Sequence, residues 1–209
     1  MATITRRSAG WMGILFVVLL FLNAGMVSLP SSGETEDFIA SFYASNRTII
    51  LIAQSIGLLA APVFVAFAIG LQNNISQKSR SGKLNAIGWA GIIVALVSVG
   101  TAIPVIALSV TTAGLPFWIK MTDWSDVALF LAITGFCLAG NTLGREGPIW
   151  WRVLAALTGL LALARSVAGF AGVVSVLDGI APMAFVLLVL ASGIYLLVRT
   201  GRGGESASP

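Results

Sequence analysis

The sequence contains no histidine. That removes Ser-His-Asp and Cys-His catalysis, His-ligated haem and His-based zinc sites. It contains one cysteine, Cys137. An internal disulfide and a thiolate metal cluster are therefore excluded. Cys137 is expected to be a small buried apolar residue in a helix. Lysine is scarce: Lys78, Lys83 and Lys120 all fall in polar loops. A retinal Schiff base needs a lysine inside a bundle, so a rhodopsin is excluded as well. Charge of either sign is sparse. Only 10% of the 209 residues are charged, against about a quarter in a soluble domain. So few charges cannot cover a globular surface, and lipid must be the main solvent. A soluble enzyme, a disordered chain, a disulfide scaffold and a nucleic-acid-binding domain are all excluded.

What is abundant is apolar sequence. Hydrophobic residues make up 57% of the chain, and the mean hydropathy is +0.98. Runs of about twenty apolar residues, the length that crosses a hydrocarbon core of about 30 Å, occur six times. They cover Trp11 to Leu29, Ile49 to Leu71, Ala86 to Val110, Val127 to Leu143, Val153 to Val174 and Ile180 to Val198. The fourth is the shortest, with Asn141 and Thr142 at its end. The expected fold is an all-α polytopic membrane bundle of six transmembrane helices. The alternative is five spans, with one weak segment re-entrant or interfacial. Arg6 and Arg7 precede the first run as they would a signal peptide. The run is long for a signal h-region, so a retained membrane anchor is expected.

Charge sets the orientation. With the N-terminus inside, the inner segments hold Arg6, Arg7, Lys78, Arg80, Lys83, Arg145, Arg152, Arg199 and Arg202. The outer segments hold Arg47 and Lys120. This positive-inside bias places both termini in the cytoplasm and explains a pI near 9.8 without nucleic acid. Glu34, Glu36, Asp37, Asp123, Asp126 and Asp178 then fall outside. All six tryptophans lie at span ends, where an interfacial belt would put them.

Between the spans, residues 33–46 read as a short outer amphipathic helix. Ser31 with Glu34 suggests a capping box, Glu36 and Asp37 suit a first turn, and Phe38, Ile39, Phe42 and Tyr43 recur at helical spacing. The apolar outer loop Ala113 to Ser125 is expected beside it. Residues 200–209 are Gly/Ser-rich and expected to be a disordered tail. Small residues form stripes at Ala53-Gly57-Ala61, Gly135-Ala139 and Ala168-Gly172. Such stripes let helix backbones approach closely, within the chain or in a homodimer.

Arg165 is the one charge inside a span. It lies thirteen residues beyond Arg152, roughly 20 Å of helix rise. A charge at that depth costs at least ~2.5–3.5 kcal/mol on insertion scales. The nearest neutralising partners are Asp178 and Asp126 at the outer edge, within reach of a snorkelling arginine. Asn23, Gln54, Thr101, Thr134 and Ser166 fall at a similar depth when the spans are stacked by rise. Two readings follow. One is an outward-facing polar pocket with Arg165 as its cationic floor, suited to an anion, a carboxylate or a lipid phosphate. The other is a buried network that pins the bundle.

The run Phe42-Tyr43-Ala44-Ser45-Asn46-Arg47, leading into Ile49 to Gln54, resembles a recurrent feature of small bacterial six-span membrane proteins with a domain of unknown function. The resemblance implies a six-span fold and a bacterial inner membrane, and adds Arg47 and Gln54 to the candidate binding residues Arg165, Asn23 and Thr134. It implies no activity. With no catalytic constellation and no acid within a span, no enzyme, metal or cofactor is expected. The leading expectation is a non-enzymatic accessory or scaffold subunit, or a self-associating protein. Its partners would be membrane lipids, other membrane subunits or a second copy, and not nucleic acid. The alternative is a binder or carrier of an anionic amphiphile or lipid.

Overall fold

A computed structural model describes residues 4–75, 84–111, 113–143, 148–173 and 176–201. Lys78, Arg80, Lys83, Arg145, Arg202 and the expected tail from residue 202 onward lie outside the described residues. Among the described residues there are seven helices: α1 (Arg6–Met26), α2 (Glu36–Ser45), α3 (Arg47–Ile75), α4 (Ala86–Val110), α5 (Leu115–Leu143), α6 (Ile149–Phe170) and α7 (Leu177–Gly201). All but α2 are long and apolar enough to cross a membrane. The chain is therefore a multi-pass helical membrane protein.

The helix ends follow local chemistry. Thr5 caps α1 by accepting from the Ser8 amide. Asn85 caps α4, its Oδ1 accepting from the Ile87 and Gly88 amides. Thr35, not Ser31, caps α2, accepting from the Phe38 amide. The Ser31–Glu34 pair forms a backbone turn instead. Asn46 separates α2 from α3, and its backbone N–H and Nδ2 both donate to the Phe42 carbonyl. α6 closes at Gly172, whose φ of 67° suits a residue without Cβ. The Val173 amide reaches back to the Ala168 carbonyl there, and the Gly172 amide to Gly169. That is why the span expected to reach Val174 stops at Phe170.

The largest boundary difference is in α5. The segment Ala113 to Ser125, expected as a loop, continues the fourth span back to Leu115. Its apolar residues recur without a helix breaker after Pro116, and proline is tolerated in a first turn. Asp126 thus lies eleven residues inside a helix, about 16 Å of rise from its start.

The six long helices form a ring. Each packs on its neighbours in the chain, and α7 closes on α1. Adjacent helices run antiparallel, so one end carries Arg6, Arg152 and Arg199 and the other carries α2. The basic end is packed tightly by residues that leave room for a neighbour. A Cβ on Gly10 would lie 2.8 Å from the Gly193 carbonyl oxygen, joining α1 to α7. A Cβ on Gly70 would meet Ala9 at 2.2 Å, and one on Gly91 would meet Ala68 at 2.3 Å. Side-chain bonds add to this: Arg6 Nε donates to Asn74 Oδ1 at 2.7 Å, and Gln72 Oε1 accepts from the Asn85 amide at 2.9 Å. The stripe at Ala53-Gly57-Ala61 does pack inward, with Gly57 facing Asn23. The Gly135-Ala139 stripe does not serve that role at Gly135, where a Cβ would meet nothing within 4 Å.

At the other end α2 lies across α3, α4 and α5. Ile39 and Tyr43 are buried against Ile50, Val105 and Leu108, while Phe38 stays exposed. Burial raises the Tyr43 hydroxyl pKa to about 12. The folded pKa lies above that of a free tyrosine, about 10. Docking of α2 is therefore at full strength below pH ~10 and weakens as the pH rises toward 12. An alkaline titration should show α2 loosening in that window, read by proteolysis near Ser31–Thr35. Tyr43→Phe should abolish the transition; a transition unchanged in Tyr43→Phe would assign it elsewhere.

Candidate functional site

The bundle centre is aromatic. Phe64 contacts Phe16, Phe67, Phe136 and Phe185, with ring centroids 4.8–6.0 Å away. These rings come from α1, α3, α5 and α7, and bulk of this size holds the helices apart. Between the rings and the α2 end lies a cavity of about 360 Å³. Every long helix contributes to it: Phe16 and Leu20 of α1, Ala61 and Phe64 of α3, Val94, Ala95 and Ser98 of α4, Asp126, Phe130 and Ile133 of α5, Arg165 of α6, and Asp178, Pro182 and Phe185 of α7.

Its polar groups gather at one side. Arg165, five residues before the end of α6, forms an ion pair through Nε with Oδ1 of Asp178 in the first turn of α7. Its Cζ lies 5.4 Å from the centroid of the Phe130 ring. Its Nη1 tucks against Gly169, where a Cβ would come within 2.5 Å. Asp126 lies one helical turn before Phe130 and lines the same cavity. Ser166 holds the depth: its hydroxyl donates to the Val127 carbonyl at 3.2 Å, fixing α6 against α5.

Of the residues singled out in the sequence, the structure brings Arg165, Asp178 and Asp126 together. The others fall elsewhere. Asn23 is half-buried against Gly57 and lies three residues past Leu20, the last α1 residue on the cavity. Gln54 shares a helix face with Ala61, seven residues on, but sits about 10 Å of rise nearer α2. Both miss in depth, because the apolar runs mark the ends of α1 and α3 only to within several residues. Thr134 misses in rotation. It is buried between α5 and α6, its hydroxyl donating to the Phe130 carbonyl at 2.9 Å and reaching the Gly159 carbonyl at 3.4 Å. Arg47 is exposed at the start of α3, away from the cavity. Thr101 donates to the Ser98 carbonyl. Ser98 and the phenyl walls, which line the cavity, carry no signal in one apolar span among six.

Comparison of the chain with protein-family models, with curated proteins and with solved structures finds no match.

Proposed function

We propose that the protein is a non-enzymatic membrane protein that binds a small amphiphile within its six-helix ring. The observation that carries this reading is the cavity: about 360 Å³, lined by aliphatic side chains and four phenyl rings, with its ionic groups confined to one side. That volume falls within the ~300–1,000 Å³ of small-molecule sites, which are mostly apolar with a few placed polar groups. Asp178 keeps 36% of its side-chain exposure, so the polar side reaches solvent. The opposite end is sealed by the Gly10–Gly193, Gly70–Ala9 and Gly140–Trp151 contacts. A site open at one end fits a binding protein better than a channel.

The basic end faces the cytoplasm in this reading, with both termini inside a bacterial inner membrane and α2 outside. The charges support it: Arg6, Arg152 and Arg199 lie at one end, and Glu36, Asp37 and Asp123 at the other.

Native mass spectrometry of the full chain released from mild detergent tests the proposal. Wild type should carry a small-molecule mass that Ala95→Phe, which fills the cavity, does not. Ser98→Leu provides a second, milder filling. If wild type instead arrives as a defined oligomer or with protein partners, and with no retained small molecule, the accessory-subunit or scaffold function replaces this one.

A further inference from the structure

The cavity's charges point to the kind of head group it accepts. On the reading that the cavity holds an amphiphile, we propose that the ligand is cationic, an amine or quaternary ammonium seated between Asp126 and the phenyl walls.

Three observations lead there. First, Arg165 is committed. Its Nε is paired with Asp178, its Nη1 is packed on Gly169 and its guanidinium lies over Phe130. An anionic head would have to share the guanidinium with the Asp178 carboxylate. Second, the cavity is lined by one guanidinium and two carboxylates. After the Arg165–Asp178 pair is formed, Asp126 remains as a second carboxylate against one guanidinium, and a bound cation would balance it. An anion entering from the polar side would meet two carboxylates, whereas a cation would meet a partner. The other charges at this end, Glu34, Glu36, Asp37, Arg47, Lys120 and Asp123, are exposed and do not line the cavity. Third, four phenyl rings stand among the aliphatic residues of the remaining wall. Phe16, Phe64, Phe130 and Phe185 all line it, and phenyl faces attract cations through their quadrupole while also accepting an apolar tail. A carboxylate beside an aromatic cage is a cation site, and the guanidinium over Phe130 shows one ring already used in that way.

The test uses the full chain in lipid nanodiscs and three probes with the same tail: decyltrimethylammonium, decyl sulfate and decanol. Binding is read as thermal stabilisation, with uptake by empty discs subtracted. The ammonium probe should bind about tenfold tighter than the sulfate, with the alcohol between. Asp126→Asn should bring the ammonium probe down to the level of the alcohol, and Asp126→Glu should restore its advantage. Ala95→Phe should abolish binding of all three. If the sulfate binds as tightly as the ammonium, or Asp126→Asn leaves the ammonium affinity unchanged, while Ala95→Phe still abolishes binding, the cationic class is wrong and the cavity stands. If Ala95→Phe changes nothing for any probe, the cavity reading itself fails.

Discussion

Trp151→Ala should destabilise the bundle by about 2–3 kcal/mol, the largest effect of any single truncation in this chain. The indole is 1% exposed at the start of α6. Its Nε1 donates to Ser192 Oγ at 2.8 Å on α7, and its ring fills the space left by Gly140 on α5, where a Cβ would lie 2.4 Å from the indole. One side chain thus joins three helices. In a water-soluble core the loss would be ~3–5 kcal/mol. Between helices in lipid the transfer part shrinks, because lipid tails are as apolar as the core, and the packing and cavity parts remain. Thermal unfolding in detergent, with Trp150→Ala as comparison, measures it. Trp150 is 38% exposed and should cost much less. Equal losses for the two would mean that Trp151 is not the junction described here.

Arg165→Gln and Asp178→Asn should each destabilise the protein by about 2 kcal/mol, and the double variant by less than their sum. Removing one partner leaves the other as an uncompensated charge, which costs ~3–5 kcal/mol when the pair is fully buried. Here the side chains keep 15% and 36% exposure, so solvent screens part of that loss. Asp126 also faces the cavity. Arg165→Gln therefore leaves two carboxylates together, and should be the worse of the two single variants. A double-mutant cycle reads the coupling, expected at roughly 1 kcal/mol. Strictly additive losses would show that the pair is not formed in solution. The pair and the proposed site are compatible, because a fixed Arg165–Asp178 bridge leaves Asp126 as a second carboxylate against one guanidinium.

Both predictions turn on residues that the sequence treats differently from the fold. Trp151 sits beside Trp150 at the end of an apolar run, and an interfacial belt is the natural reading for both. The structure keeps Trp150 exposed and buries Trp151, because adjacent helix positions point about 100° apart and only one of them faces Gly140 and Ser192. Trp11 and Trp89 remain exposed near helix ends as expected, whereas Trp124 is exposed but lies nine residues inside α5. The stripes at i and i+4 likewise identify α3 as a packing face. Gly10, Gly70, Gly91 and Gly140, each meeting another helix at under 3 Å, lie outside the stripes singled out in the sequence. Each matters because of the residue it meets on another helix.

The same division runs through the candidate site. Arg165 is conspicuous in sequence because a charge in an apolar span has no cheap surroundings, and Asp178 and Asp126 are conspicuous as the acids nearest in depth. Asn23, Gln54 and Thr134 looked equivalent to them by depth alone. Helix rise places a residue along the membrane normal only as well as the span boundary is known, and α5 begins twelve residues before its apolar run does. Helix rotation is absent from the calculation altogether.

Sequence alone determined the solvent, the number of long apolar helices, their order and the side-to-side imbalance of charge. Each of these depends on composition and length, which no partner is needed to read. Tertiary structure decided the closure of α7 on α1, the position of α2 across α3 to α5, and the cavity. It also decided that Arg165 pairs with Asp178 and that Asp126 lines the same cavity. Those features are relations between helices, fixed by which small residue meets which large one, and an apolar run carries no record of its neighbour.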